Sequence, residues 1–180
     1  ACFLMDAASF YTKWMRDLSL DQGEDGKVPD VIPDVFPGNG GHTGWADAAV
    51  VVPWEIYLNY GDTRILETQY ESMMGWIQYM KGRAGENLLW QSDWHYGDWL
   101  SYSDNSAAYS GAHTETDLLA TAYFAYSTSL LAKIAAILGK EQRKSELIHE
   151  LLQNKRAKPA LVVVRDGLKM VDVLEELDAV

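Results

Sequence analysis

The sequence predicts an all-α fold of antiparallel helical hairpins, a portion of an (α/α) toroid in which inner and outer helices alternate. Two observations carry this. Five stretches repeat apolar residues at spacings of three and four, the signature of a one-faced helix. The connectors between them run long, short, long, short. A short connector joins antiparallel neighbours, so the short turns fall on one rim and the two long loops share the other. With 180 residues, 48% of them hydrophobic, the chain is long enough to bury a sizeable core.

The first helix is expected over residues 2–20, with Phe3, Ala7, Phe10, Trp14 and Leu18 on one face. Residues 21–44 hold Pro29, Pro33, Pro37 and Gly38-Asn39-Gly40-Gly41, which break regular structure. A loop of that length inside a compact domain is usually functional. The second helix is expected over residues 45–60, with Asp47, Val51, Trp54 and Leu58 sharing a face, Thr43 or Gly44 as N-cap and Gly61 as the stop. Residues 62–82 predict the third, opened by Asp62 and carried by Ile65, Leu66, Tyr70, Met73, Ile77 and Met80. Residues 83–115 form the second long loop, punctuated by Gly85, Gly97 and Gly111.

The fourth helix runs from about Thr116 to Leu138 and stops at Gly139; its many alanines let neighbours approach closely. The fifth runs from Lys140 to about Asn154. The pattern then changes. Residues 158–164 are β-branched and strand-like, Asp166-Gly167 signals a turn, and Leu168 to Leu177 reads as a short amphipathic helix. The expected organisation is therefore a helical domain over 1–155 and a tail of different character over 156–180.

Bulk properties remove several function classes. A net charge of -11 argues against nucleic acid, because neutralising phosphates needs clustered Lys and Arg. Cys2 is the one cysteine, so no disulfide forms within the chain. No run of about 18 apolar residues is present, and no membrane span is expected. The chain opens at Ala1 inside an apolar pattern with no charged region before it, which reads as an internal cut from something longer and not as a signal peptide.

Two short stretches carry the chemistry: Gly44-Trp45-Ala46-Asp47, and Asp93-Trp94-His95-Tyr96-Gly97-Asp98-Trp99. Both put carboxylates beside indoles in Gly-flanked loops. That pairing grips sugars, with an indole against the apolar face of a pyranose and a carboxylate accepting from neighbouring hydroxyls. Trp45, Asp47, Asp98 and Trp99 are the candidate sugar contacts, with Trp94 and His95 between them and Asp30 in the Pro-rich loop. Each has a plainer reading. Asp47 favours the positive end of a helix, Trp45 packs as a staple, and Asp98 and Asp30 support turns. Trp14, Trp54 and Trp76 sit at core spacing. His42, His95 and His113 match no metal-ligand box such as H-x-x-x-H, so neither metal nor cofactor is expected. Glu115 and Asp117 read as capping residues of the fourth helix.

A set of motifs occurs in a fixed order: Trp14-Met15-Arg16-Asp17-Leu18-Ser19-Leu20-Asp21, Lys27-Val28-Pro29-Asp30-Val31, Gly44-Trp45-Ala46-Asp47 through Pro53-Trp54, Tyr60-Gly61-Asp62, Gly97-Asp98-Trp99-Leu100, and Ala120-Thr121-Ala122-Tyr123-Phe124-Ala125-Tyr126-Ser127. Over residues 1–145 the set resembles the catalytic domain of bacterial α-L-rhamnosidases, glycoside hydrolase family 78. Residues 146–180 do not follow it. The resemblance implies an (α/α)6 barrel, a rhamnose-containing glycoside as ligand, and inverting hydrolysis of terminal α-L-rhamnosyl bonds by two carboxyls spaced to admit a water. It also implies that Trp45, Asp47, Asp98 and Trp99 contact sugar, with Asp30 a less specific match. The family's general acid lies in an Arg-Asp-Glu-Arg-type motif upstream, and its base in a later motif; neither motif occurs here. By that comparison the chain supplies a sugar-binding wall and no catalytic residue. Two other readings fit the same pattern: another (α/α)6 carbohydrate-active enzyme, since fold does not decide substrate, and a non-catalytic helical module binding a sugar or a partner protein. Part of a toroid leaves apolar edges, which makes self-association a further expectation.

Overall fold

A computed structural model describes residues 4–91, 93–98 and 114–153. Within them lie five helices: α1 (Ala8–Asp21), α2 (Ala48–Tyr60), α3 (Arg64–Ala84), α4 (Thr116–Ile137) and α5 (Glu141–Gln153). No strand occurs among the described residues; the one bridge pairs Pro29 with Gly40. The expected strand and helix of the tail, the second long loop from Trp99 to His113, and Asn154 lie outside the described residues.

α1 begins six residues later than the spacing predicts, after the Asp6 carboxylate accepts the Ala8 N–H at 3.2 Å. Its buried face is also rotated. Met15 and Leu18 are buried, with Tyr11 and Trp14 packed at the core's edge, while Phe10 is 63% exposed. The helix carries apolar residues on both sides, so spacing alone does not select the face that meets α2 and α3.

α2 shows the same limit. Residues 42–47 are a tight turn, and the helix proper starts at Ala48. Its core face is Ala49, Val50, Pro53 and Ile56; Val51 and Trp54 are half-buried and Leu58 is exposed, unlike the predicted stripe. From Ala48 to Trp54 the segment is apolar all round, so no period stands out. Gly61 ends the helix as expected: at φ +67 it takes the left-handed cap, and its N–H donates to the Tyr57 carbonyl at 2.8 Å.

α3 follows after three residues, running antiparallel to α2. All six predicted core residues, Ile65, Leu66, Tyr70, Met73, Ile77 and Met80, are buried, and Trp76 is buried with them. Lys81 and Arg83 sit in its last turn, where cations oppose the negative end of the helix dipole. α4 packs against α2, α3 and α5. By length and composition alone it is apolar enough to cross a membrane, but most of that surface is spent on the core. Its small residues Ala120, Ala122, Ala125, Ala132 and Ala135 are all buried. α5 covers it from outside through Leu147, and Lys81 ties α5 to α3 through Glu150 at 2.6 Å.

The two short turns, 61–63 and 138–140, thus fall on one rim. Loop 22–47 and the described residues 85–91, 93–98 and 114–115 fall on the other, where the site is built.

Candidate functional site

The first long loop is pinned before it reaches the site. Gln22 donates to the Gly26 carbonyl (2.8 Å) and the Ser72 carbonyl (3.1 Å), and accepts from the Ser72 hydroxyl (2.7 Å). Gly26, at φ +87, lies so close to α3 that an added Cβ would fall 2.1 Å from the Gly75 carbonyl oxygen. Further on the loop doubles back, with the Gly41 N–H donating to the Val28 carbonyl at 2.8 Å. The fold-back brings Asp30 and His42 side by side: His42 Nδ1 lies 2.9 Å from both carboxylate oxygens of Asp30.

The second loop closes on the first. The Thr43 N–H donates to His95 Nδ1 at 3.1 Å, and the Tyr96 hydroxyl donates to Asp30 Oδ2 at 3.0 Å. The Tyr96 ring stacks on Trp45, with centroids 4.7 Å apart and planes 29° apart. Trp94 stands edge-on to His42 (5.0 Å) and to Tyr96 (4.6 Å). Trp45 is 40% and Trp94 61% exposed, so two indoles rim the same face. Two stretches about fifty residues apart in sequence therefore form one aromatic wall.

The acids stand behind that wall. Asp47 is 1% exposed and accepts four hydrogen bonds: from the Thr43 hydroxyl (2.9 Å), the Gly44 N–H (2.7 Å), the Trp76 indole (3.0 Å) and the Ser127 hydroxyl. These fill the four lone-pair positions of a carboxylate. Asp47 is thus the buried anchor of the Trp45 turn. Asp30 is likewise taken up by His42 and Tyr96. Asp98 is half-buried and accepts from the Thr114 N–H and hydroxyl at 3.2 Å, which holds the chain just before α4. Trp99 lies outside the described residues.

His95 is buried, its ring edge-on to Trp90 at 4.6 Å. Because Nδ1 accepts, the proton of the neutral ring sits on Nε2, which has no partner among the described residues. Burial pushes its pKa down from the ordinary 6.5, with His42 acting the same way and Asp93, Asp47 and Asp117 opposing. Asp93 pairs with Arg83 and accepts the Trp90 indole N–H at 2.6 Å. The Arg83 hydrogen bond, aided by that of Trp90, holds the Asp93 carboxyl below its ordinary value against its burial.

Residues 1–157 match the bacterial alpha-L-rhamnosidase 6 hairpin glycosidase domain. The chain belongs to the bacterial α-L-rhamnosidase family. An α-L-rhamnosidase of Streptomyces avermitilis is 41% identical over 141 residues, covering 78% of this chain and 13% of that protein. One from Alteromonas sp. is 37% identical over 139 residues, 76% of this chain and 15% of that protein. The crystal structure of the Streptomyces avermitilis α-L-rhamnosidase complexed with L-rhamnose aligns with a TM-score of 0.74 at 38% identity, over 85% of this chain and 14% of that one. The chain thus spans about an eighth to a seventh of the length of these two relatives. The rhamnosidases are glycosidases, and the five helices form part of their six-hairpin α/α barrel.

Every described residue of the aromatic wall falls inside the span matched to the rhamnosidase domain. Sequence reasoning missed several parts of it. His42 was weighed only as a metal ligand, and Tyr96 lay inside a singled-out stretch without being given a role. Of the far partners of Asp47, Trp76 read as a core residue, and Ser127 stood inside a quoted motif without a role of its own. The motif Trp-Ala-Asp did signal an indole and a carboxylate two residues apart, which on a tight turn points them to opposite sides.

Proposed function

We propose that this chain supplies one wall of an L-rhamnose subsite in an α-L-rhamnosidase, the acid and base of the inverting reaction being carried outside it. The observation that supports the reading is the joining of Trp45, Tyr96 and Trp94 into one face with both indoles open to solvent. The 6-deoxy ring of rhamnose presents an apolar methyl edge, which an indole packs against without desolvating a charge. The relative solved with L-rhamnose agrees with that ligand class. In the parent reaction one carboxylic acid protonates the leaving oxygen while a second carboxylate activates water. The described acids at this wall, Asp30 and Asp47, are engaged by protein donors, which supports placing the acid and base of the reaction elsewhere.

The test is an L-rhamnose titration of the chain followed by tryptophan fluorescence. Saturable quenching, weakened at least tenfold by Trp45→Ala, is the expected result; no response with a correctly folded chain overturns the reading. The same preparation should release no rhamnose from nitrophenyl α-L-rhamnoside above a control carrying Asp47→Asn and Asp98→Asn.

A further inference from the structure

We infer that His42 is a sugar-hydroxyl contact of this wall, with Asp30 acting as the group that orients it. The inference rests on the reading of the wall as a rhamnose subsite and assigns it a polar element.

The His42 ring is fixed on several sides. Its Nδ1 lies 2.9 Å from both oxygens of Asp30, whose side chain is nearly buried and is itself held by the Tyr96 hydroxyl at 3.0 Å. Trp94 and Tyr96 abut the ring edge-on at 5.0 and 5.2 Å. A carboxylate accepts, so Nδ1 donates to it and Nε2 is the ring nitrogen left for a ligand. No described residue bonds Nε2, and the side chain keeps 20% exposure. The result is an oriented ring nitrogen beside the exposed Trp94 indole.

A purely structural role does not account for the pair. The loop from Val28 to Gly41 is already closed by the Gly41–Val28 hydrogen bond and the Pro29–Gly40 bridge. To that closure the Asp30–His42 contact adds a fixed ring direction, the arrangement that makes a histidine a selective hydrogen-bond partner. Its ligand is a neutral pyranose offering a hydroxyl next to its apolar face.

The experiment uses the chain labelled with ¹⁵N-histidine and titrated with L-rhamnose and its 2-, 3- and 4-deoxy analogues. The expected result is a shift of the His42 Nε2 resonance on saturation, binding weakened at least fivefold by His42→Phe, and one deoxy analogue that binds wild type and His42→Phe alike. Should His42→Phe fail to fold, the wild-type Nε2 shift and the analogue series still decide. Rhamnose binding that Trp45→Ala abolishes but that leaves Nε2 unmoved and His42→Phe unimpaired overturns this inference and spares the aromatic wall. No binding by folded wild type overturns both.

Discussion

The Thr43 amide and the His95 imidazole meet at 3.1 Å across 52 residues of sequence, and that bond is the buried seam between the two long loops. It requires an unprotonated Nδ1. Burial places the folded pKa of His95 below 6.5, so between that lower value and 6.5 the unfolded chain binds a proton that the folded one does not. Stability from this group is fully present above pH 6.5 and is lost as pH falls through the folded pKa. Thermal melts from pH 7.5 to 5 should show Tm falling with acidity, and His95→Asn, whose amide oxygen takes the place of Nδ1, should flatten that dependence.

Asp47 joins three parts of the molecule, the 43–47 turn, α3 through Trp76 and α4 through Ser127. Asp47→Asn replaces one accepting oxygen by a donor facing donors, and should cost about 2–4 kcal/mol. Ser127→Ala removes one donor and leaves the same oxygen with the Trp76 indole, so it should cost about 1 kcal/mol. Urea unfolding of the two variants measures the difference.

Two glycines should respond in opposite directions. Gly26→Ala combines a positive φ with a Cβ driven against the Gly75 carbonyl, and should destabilise by about 3 kcal/mol or more. Gly82 lies in α3 with open space around its missing Cβ, so Gly82→Ala should stabilise by about 0.5–1 kcal/mol. Paired denaturation curves check both signs.

Arg83 and Asp93 form an ion pair, yet their removal should not be equivalent. Arg83 is half-exposed, and Arg83→Ala should cost less than about 1 kcal/mol. Asp93→Ala also strips the partner of the buried Trp90 indole N–H, so it should cost about 1–3 kcal/mol. The ordering of the two in urea is the measurement; equal costs would mean that the indole bond contributes nothing.

Helix order, turn lengths and the core stripe of α3 were legible because α3 is polar on one side and apolar on the other, so its period is visible. The faces of α1 and α2 were not. Phe10 and Tyr11 are adjacent and both aromatic, and Ala48–Trp54 is apolar in every direction, so the neighbouring helices decide which side is covered. At the site, Trp45 and Trp94 announced themselves as loop indoles. The pairing of Asp30 with His42 did not, because it depends on a fold-back that no helical or strand period encodes. The surroundings of Asp47 were hidden for a related reason: the sequence shows that an acid opens α2, but not that an indole and a hydroxyl from two other helices converge on it.

The turns at 61–63 and 138–140 lie at the far end from the aromatic wall, and Gly61 and Gly139 each have empty space where a side chain would go. That end is a handle: a dye, an affinity tag or a surface linker attached there leaves the aromatic wall at the opposite end unobstructed.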